Sequence, residues 1–311
     1  MRIPPQQSRL RDGRLHLHDG PIDLIVDAFG HKSMVERACA AAWSRFTTIL
    51  DELCGELPLL RTQMTPQSGR PDGLVAGRMA EAVAPFCADR FITPMAAVAG
   101  AVAEEVLGAM TTAATLRRAY VNNGGDIALY LLPNESFAIG MIDRPDEPSL
   151  VGSAKISGRD AVRGVATSGW RGRSFSLGIA DAVTVLARTA AAADAAATLV
   201  ANAIDLPGHP GIRRAPAKSR DPQSDLRERL VTIDVGALTR DEVDEALAGG
   251  LTEAERLRGA GLLEAAAVQL QGQVRACQGG GARLIEDEAN GLHTFRLNRM
   301  SADAMAVDGA R

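Results

Sequence analysis

Leu15 and Leu17 alternate with His16 and His18, and the apolar run 22–26 follows at once. Asp12-Gly13 and Asp19-Gly20 punctuate these runs, and aspartate–glycine pairs suit tight hairpin turns. The pattern predicts a strand meander at the N-terminal edge, with His16 and His18 on one face. Two histidines at that spacing can ligate a metal, but no third ligand stands beside them in the sequence, so they read as solvated strand residues. Over residues 31–60 the period lengthens. Val35, Cys39, Trp43, Phe46 and the Ile49-Leu50 pair recur three or four apart, which predicts a helix, and Ser33 with Glu36 would form a capping box at its start. Further helices are expected over 77–88 and after Thr93-Pro94, where proline suits a first turn and Ala97, Ala101, Glu104 and Leu107 follow in helical order.

Beyond residue 118 the period shortens again. Strands are expected over 119–121, 126–132 and 137–141, joined by the polar turns 122–125 and 133–136. A loop at 143–149 leads to strands over 162–167 and 179–187, and an alanine-rich helix follows over 190–203. The stretch 206–229 mixes proline, glycine and charge and reads as a long connection or a flap. A strand is expected over 231–235, and two capping boxes, Thr239 with Glu242 and Thr252 with Glu255, would open successive helices reaching to about Cys277. Gly279-Gly280-Gly281 closes the pattern. Strands meandering between long helices, without repeated βαβ units, predict an α+β fold with antiparallel or mixed sheet.

The chain has 311 residues, with 34 Lys and Arg against 38 Asp and Glu, so its formal charge is −4, and aromatic residues make up 4 %. Such a chain offers neither a general field for phosphate backbones nor stacking platforms, so nucleic acid is not an expected partner. The N-terminal residues lack the apolar core of a signal peptide. The most apolar stretch, 95–103, ends at Glu104 and Glu105, short of the roughly 20 residues that span a bilayer. A cytoplasmic protein with no membrane association is therefore expected. Cys39, Cys54, Cys87 and Cys277 show no CxxC spacing, which argues against a disulfide framework or zinc knuckle. Neither zinc nor haem is expected.

Three groups could carry chemistry. Asp194 and Thr198 lie four apart in the alanine-rich helix and so on one face, where an acid and an alcohol make hard oxygen ligands for Mg²⁺. The competing reading is a threonine bonded back to its own helix and an exposed aspartate. Asn123, Gly124, Gly125 and Asp126 form a turn whose bare N–H groups admit a phosphate or nucleobase, or else a plain hairpin turn. Thr167, Ser168 and Gly169 end a strand, and Arg171 and Arg173 follow, a set that could hold an anion or form a solvated loop. Ser168 lacks the first glycine of a nucleophile elbow.

Taken in order, Val165-Ala166-Thr167-Ser168-Gly169, the strand 181–185 and the helix segment Ala193 to Thr198 resemble the carboxy-terminal half of the ApbE-type FAD:protein FMN transferases, and Gly124-Gly125-Asp126 is similar to their glycine-glycine-acid turn. Pro21 to Leu24, Thr93 to Gly100, Gly172 to Asp181 and Asp221 to Leu226 resemble more closely an uncharacterised ApbE-like branch, carried under a UPF designation and found in bacteria and archaea. The resemblance implies a T-fold-related sheet packed with helices around a central cleft, as a single domain over 1–277, with a mobile tail or late edge strand over 278–311. It implies Asp194 and Thr198 as metal ligands for Mg²⁺, FAD or FMN as the nucleotide, and a protein partner as acceptor. A homodimer is expected on base rates. The transferases carry a histidine and an Asp-Pro-x-Thr-Gly stretch after the Thr-Ser-Gly strand, and the interval 170–179 contains neither. Their helix lysine is also missing from Val98-Ala99-Gly100-Ala101. Two readings follow: a Mg²⁺-dependent group transferase acting on a small anionic molecule, or a binding and delivery protein for a flavin, sulfide or metabolite without that chemistry.

Overall fold

The N-terminal alternation folds as β1 (Gln6–Arg9), β2 (Leu15–Asp19) and β3 (Ile22–Phe29) in the computed structural model, which describes residues 3–142, 150–278, 283–285 and 307–308. Gly13 and Gly20 take φ of 92° and 57° at the two turns, a region glycine enters without a Cβ penalty. Leu15, Leu17, Leu24 and Val26 face inward and are buried. Helix α1 (Lys32–Leu60) covers them with a stripe of Ala38, Ala42, Phe46, Ile49 and Leu53. The capping box expected from Ser33 and Glu36 does not form. The helix starts at Lys32, two residues too early, so His31 is the N-cap and the Ser33 hydroxyl, inside the first turn, pairs with the His31 ring at 2.9 Å.

Chain contacts group into two compact units, and the chain passes repeatedly between them. The first holds the residues up to Glu135 with Arg163–Val165 and Arg188–Ala195. Here α2 (Leu74–Val83) and α3 (Val98–Ala113) join α1 behind a sheet in which β4 (Arg118–Asn123) and β5 (Asp126–Leu131) follow β3, and the first residues of β8 (Gly164–Ser168) pair with β5. Every residue of β4 is buried. The strand order is β1-β2-β3-β4-β5-β8.

The second unit holds Ser136–Val162, Ala166–Ala187 and the chain from Ala196. Its main layer runs β8-β9-β12-β13, with β9 (Ala182–Ala187), β12 (Ala265–Leu270) and β13 (Gln273–Gln278), and α6 (Arg240–Gly259) packs on β12 and β13. A second sheet runs β14-β7-β6-β15, built from β6 (Ser136–Ile142), β7 (Leu150–Ser157), β14 (Arg283–Ile285) and β15 (Val307–Asp308). A two-stranded ribbon joins β10 (Ile212–Pro216) to β11 (Leu230–Val235). Helix α4 (Ala190–Ala203) coincides with the alanine-rich helix read from the sequence. The α+β class stands, and the sheet pairings β2·β3, β3·β4, β4·β5, β6·β7 and β9·β12 are antiparallel.

Three local expectations are corrected. The connection over 206–229 contains β10 and the short helix α5 (Ala217–Arg220). Thr239 and Glu242 do make their capping box, but α6 runs unbroken past Thr252, whose hydroxyl donates to the Ala248 carbonyl at 2.9 Å instead of opening a new helix. Residues 265–278 form the hairpin β12–β13, not helix. Gln271 and Gly272 take φ of 44° and 79° at its two-residue turn, and β12 is buried throughout, so its continuous apolar run is that of a strand covered on both faces. The loop expected at 143–149, Gly279-Gly280-Gly281 and the tail of 278–311, apart from Gln278, β14 and β15, lie outside the described residues.

Candidate functional site

Two glycines bring the start of α4 against its neighbours in the first unit. A Cβ on Gly100 would stand 2.3 Å from the Ala190 carbonyl oxygen, and one on Gly164 would stand 2.1 Å from that of Thr189. At this crossing α3 and α4 cap each other. The Asp194 carboxylate of α4 accepts from the Gly100 N–H at 3.1 Å, with the Ala99 N–H beside it, and the Glu104 carboxylate of α3 accepts from the Ala191 N–H at 2.8 Å. The Thr189 hydroxyl takes the Ala192 N–H at 3.2 Å. Each acid satisfies N–H groups that the other helix cannot pair internally, and each meets the positive end of a helix dipole.

The glycine turn completes this cluster. Gly124 and Gly125 adopt φ of 64° and 118°, and the Asn122 side chain accepts from the Gly125 N–H at 2.9 Å. Asn123 donates its side-chain amide to the Ala99 carbonyl at 3.2 Å, which ties the turn to the first residues of α3. Asp126, buried at the start of β5, lies close enough to Asp194 for their charges to interact. Burial, and then the Asp126 charge, push the Asp194 carboxyl well above the usual carboxylate range, against the pull of the Gly100 and Ala99 N–H groups. Two acids held together with little water are relieved by a shared proton or by a cation. Among the described residues no three or more His, Cys, Asp or Glu side chains stand in a metal-holding arrangement, so a cation here would draw its remaining ligands from hydroxyl, carbonyl or water oxygen. Thr198, half-buried, follows Asp194 by one turn of α4.

The second unit holds the other candidates. The Thr167 and Thr184 hydroxyls pair at 3.1 Å across β8 and β9. Ser168 is half-buried, and Gly169 lets the chain pass the Asp181 carbonyl, 2.4 Å from where a Cβ would stand. Arg171 donates from Nε to the buried Asp181 carboxylate at 3.0 Å and lies over the Trp170 ring at 4.3 Å, while the other Asp181 oxygen accepts from the Gln271 N–H at 2.6 Å. The Trp170 indole N–H is buried and has no hydrogen-bond partner among the described residues. Arg173 is exposed.

Asn123, Asp126 and Asp194 are thus gathered in one unit, and Thr167, Arg171 and Trp170 belong to the other. Glu104, Asp181 and Trp170 were not singled out from the sequence as site residues. The signal for Glu104 was there: an acid inside an apolar helix needs a partner once that helix is buried. A signal for Asp181 was not, because its partners come from a loop ten residues away and a turn ninety residues away.

A family model described as AbpE bacteria matches residues 7–276. A UPF0280 protein of Methanopyrus kandleri is 34 % identical over 249 residues, covering 76 % of this chain and 94 % of that protein. A UPF0280 protein of Methanothrix thermoacetophila is 32 % identical over 214 residues, covering 64 % and 73 %. The crystal structure of the apo form of Pseudomonas stutzeri flavinyl transferase ApbE aligns over 88 % of this chain and 93 % of that chain, with a TM-score of 0.38 and 10 % identity. With the family model matched over 7–276 and the Methanopyrus protein over nearly its whole length, the chain belongs to the AbpE bacteria family and stands among the UPF0280 proteins.

Proposed function

We propose that this protein binds a small anionic molecule of the flavin or nucleotide class together with Mg²⁺ and catalyses a group transfer. The observation that carries the reading is the meeting of Asp126 and Asp194 beside the glycine turn, where burial and the Asp126 charge raise the Asp194 carboxyl above the usual carboxylate range. That donor set suits a hard divalent cation, with Thr198 as the proposed hydroxyl ligand. Mg²⁺ bound there would polarise a phosphoryl oxygen. The Asn123-Gly124-Gly125 turn would offer backbone N–H groups to the nucleotide, and the flavin is suggested by the ApbE-like wording of this turn and of Thr167-Ser168-Gly169. The other anion-binding set read from the sequence, Thr167-Ser168-Gly169 with Arg171 and Arg173, belongs to the second unit, where Asp181 engages Arg171. The acceptor of the transferred group would be a protein partner.

Isothermal titration of MgCl₂ into chelator-treated protein, with and without FAD, FMN or ADP, tests the reading. The expected result is Mg²⁺ binding weakened at least about tenfold in Asp194→Asn, a change that keeps an oxygen to cap Gly100 while removing the charge. Equal binding by both proteins overturns it. A second reading, binding and delivery without chemistry, is favoured by the engagement of Arg171 with Asp181 and by the interval 170–179, which lacks a histidine. Tight ligand binding with no turnover would select it.

A further inference from the structure

Helix α2 of the first unit leaves one stripe bare. Leu74 is 68 % exposed, and Arg78 and Glu81, also exposed, follow it at i+4 and i+7 on the same face. Between them Gly77 has nothing within 4 Å of where a Cβ would stand, so the middle of the stripe is flat and open. Ala80 of the same helix lines a half-open, mostly apolar hollow of about 250 Å³, together with Leu59, Met64, Pro71 and Pro94. Clefts that take cofactors run to roughly 300–1,000 Å³ and enclose their ligand, so this hollow suits a side chain and not a cofactor. Arg70 and Glu81 stand next in sequence to two of its lining residues and pair at 2.7 Å, both well exposed.

We propose that this face joins two copies of the chain about a two-fold axis beside Gly77, with Leu74 of each copy seated in the hollow of the other. A two-fold contact requires that where residue i meets j, j also meets i, so the face must carry both the knob and the hole. It does: Leu74 and Ala80 are six residues apart on one helix, about 9 Å along its axis. Two α2 helices laid antiparallel and crossing at Gly77 set Leu74 of one copy over the Ala80 wall of the other, and the missing Cβ lets the backbones approach. The charges allow this meeting. Arg70 and Glu81 rim each hollow with both signs. Arg78, which lies nearest the axis and would face its own image, is matched within its own chain by Glu104 at 3.4 Å and Glu105 at 3.3 Å. The interface is independent of Asp126 and Asp194 and of any ligand they hold.

Analytical ultracentrifugation of the full-length protein at micromolar concentration is the test. We expect a species of twice the 32.7 kDa chain mass. Leu74→Arg should raise its dissociation constant at least about thirtyfold, the effect of losing a central apolar anchor. Gly77→Leu should split it as well, by wedging the two helices apart, and because that position is open within the chain its circular dichroism should stay that of the wild type. Leu230→Arg, at an exposed leucine of the second unit, should leave the dimer intact. A wild-type protein that sediments as a monomer overturns the proposal. So does a dimer that survives either α2 substitution, or one that Leu230→Arg splits, which would place the interface on the other unit.

Discussion

Asp194 does two jobs whose electrical demands conflict. As a cap it is best charged, because it faces the N-terminal N–H groups of α3. As a buried neighbour of Asp126 it is best neutral, and this second demand wins. The consequence for stability has a definite sign. An unfolded aspartate titrates near about 3.9. Below that pH both states are protonated and there is no cost. As pH rises through it, the unfolded chain releases the proton while the folded chain keeps it, so stability falls until the raised folded value is passed. Without metal, Asp194→Asn should therefore be more stable than the wild type at pH 7, by a margin on the order of 1 kcal/mol that shrinks to nothing near pH 4. Urea denaturation across pH 4–8 measures this, and a less stable Asn variant at pH 7 would mean that the cap's charge outweighs the repulsion. The individual members of this cluster were legible: Asp194 from its i, i+4 spacing with Thr198, and Asp126 from the glycine turn. Their meeting was not, because Gly100 and Asp194 are 94 residues apart and no local pattern encodes that contact.

At the scale of elements, the crossing of α3 and α4 depends on a missing side chain. Gly100 sits where a methyl group would strike the backbone of Ala190, which cannot rotate away. Gly108, two turns further along α3, has nothing within 4 Å of its Cβ position. The same substitution should thus act in opposite directions within one helix. Gly108→Ala should stabilise by about 0.5–1 kcal/mol through helix propensity. Gly100→Ala should destabilise by about 3 kcal/mol or more through overpacking, and should also loosen the Asp194 cap. Chemical denaturation of the two variants side by side checks both signs, and a neutral Gly100→Ala would show that the helices can part at little cost. Helices were legible wherever an apolar stripe faced one side, as in α1, and α4 was located to the residue. The hairpin at 265–278 was misread for a physical reason. Ala265, Ala266 and Ala267 favour helix by propensity, but burial between β9 and β13 overrides a preference worth only tenths of a kcal/mol per residue. Of the ribbon, β11 was legible as the strand expected over 231–235, while β10 was hidden, because it is short, carries two arginines, ends in proline and is nowhere fully buried.

At the scale of the whole molecule, the residues of the first unit come from three separate parts of the chain. Its sheet ends on β5, which needs Gly164 and Val165 to pair with Ala128 and Ile127, and α3 needs Arg188–Ala195 for its cap and for the apolar cover of Ala190, Ala191 and Ala193. The apolar stretch does not stop at Glu104 and Glu105 as expected: by length and composition the segment Pro94–Ala113 could cross a membrane, yet half of it is buried inside the protein, packed on α1, β4 and β5. Its two acids are both spent within the fold: Glu105 pairs with Arg45 at 2.8 Å and with Arg78 at 3.3 Å, and Glu104 caps α4. Cutting the chain after Glu135 would remove the partner of β5 and leave Glu104 and the first N–H groups of α3 without their reciprocal contacts. It would also bare the apolar flank of that segment. A fragment of residues 1–135 should therefore lack a cooperative thermal transition and self-associate, even though it keeps five consecutive strands and three helices. Size-exclusion chromatography and circular dichroism decide the matter. A monomeric fragment with a sharp melt would place the stability of this unit in the α1–α3 layer and its meander alone, and would reduce the interleaving of the chain to a matter of connectivity without energetic weight.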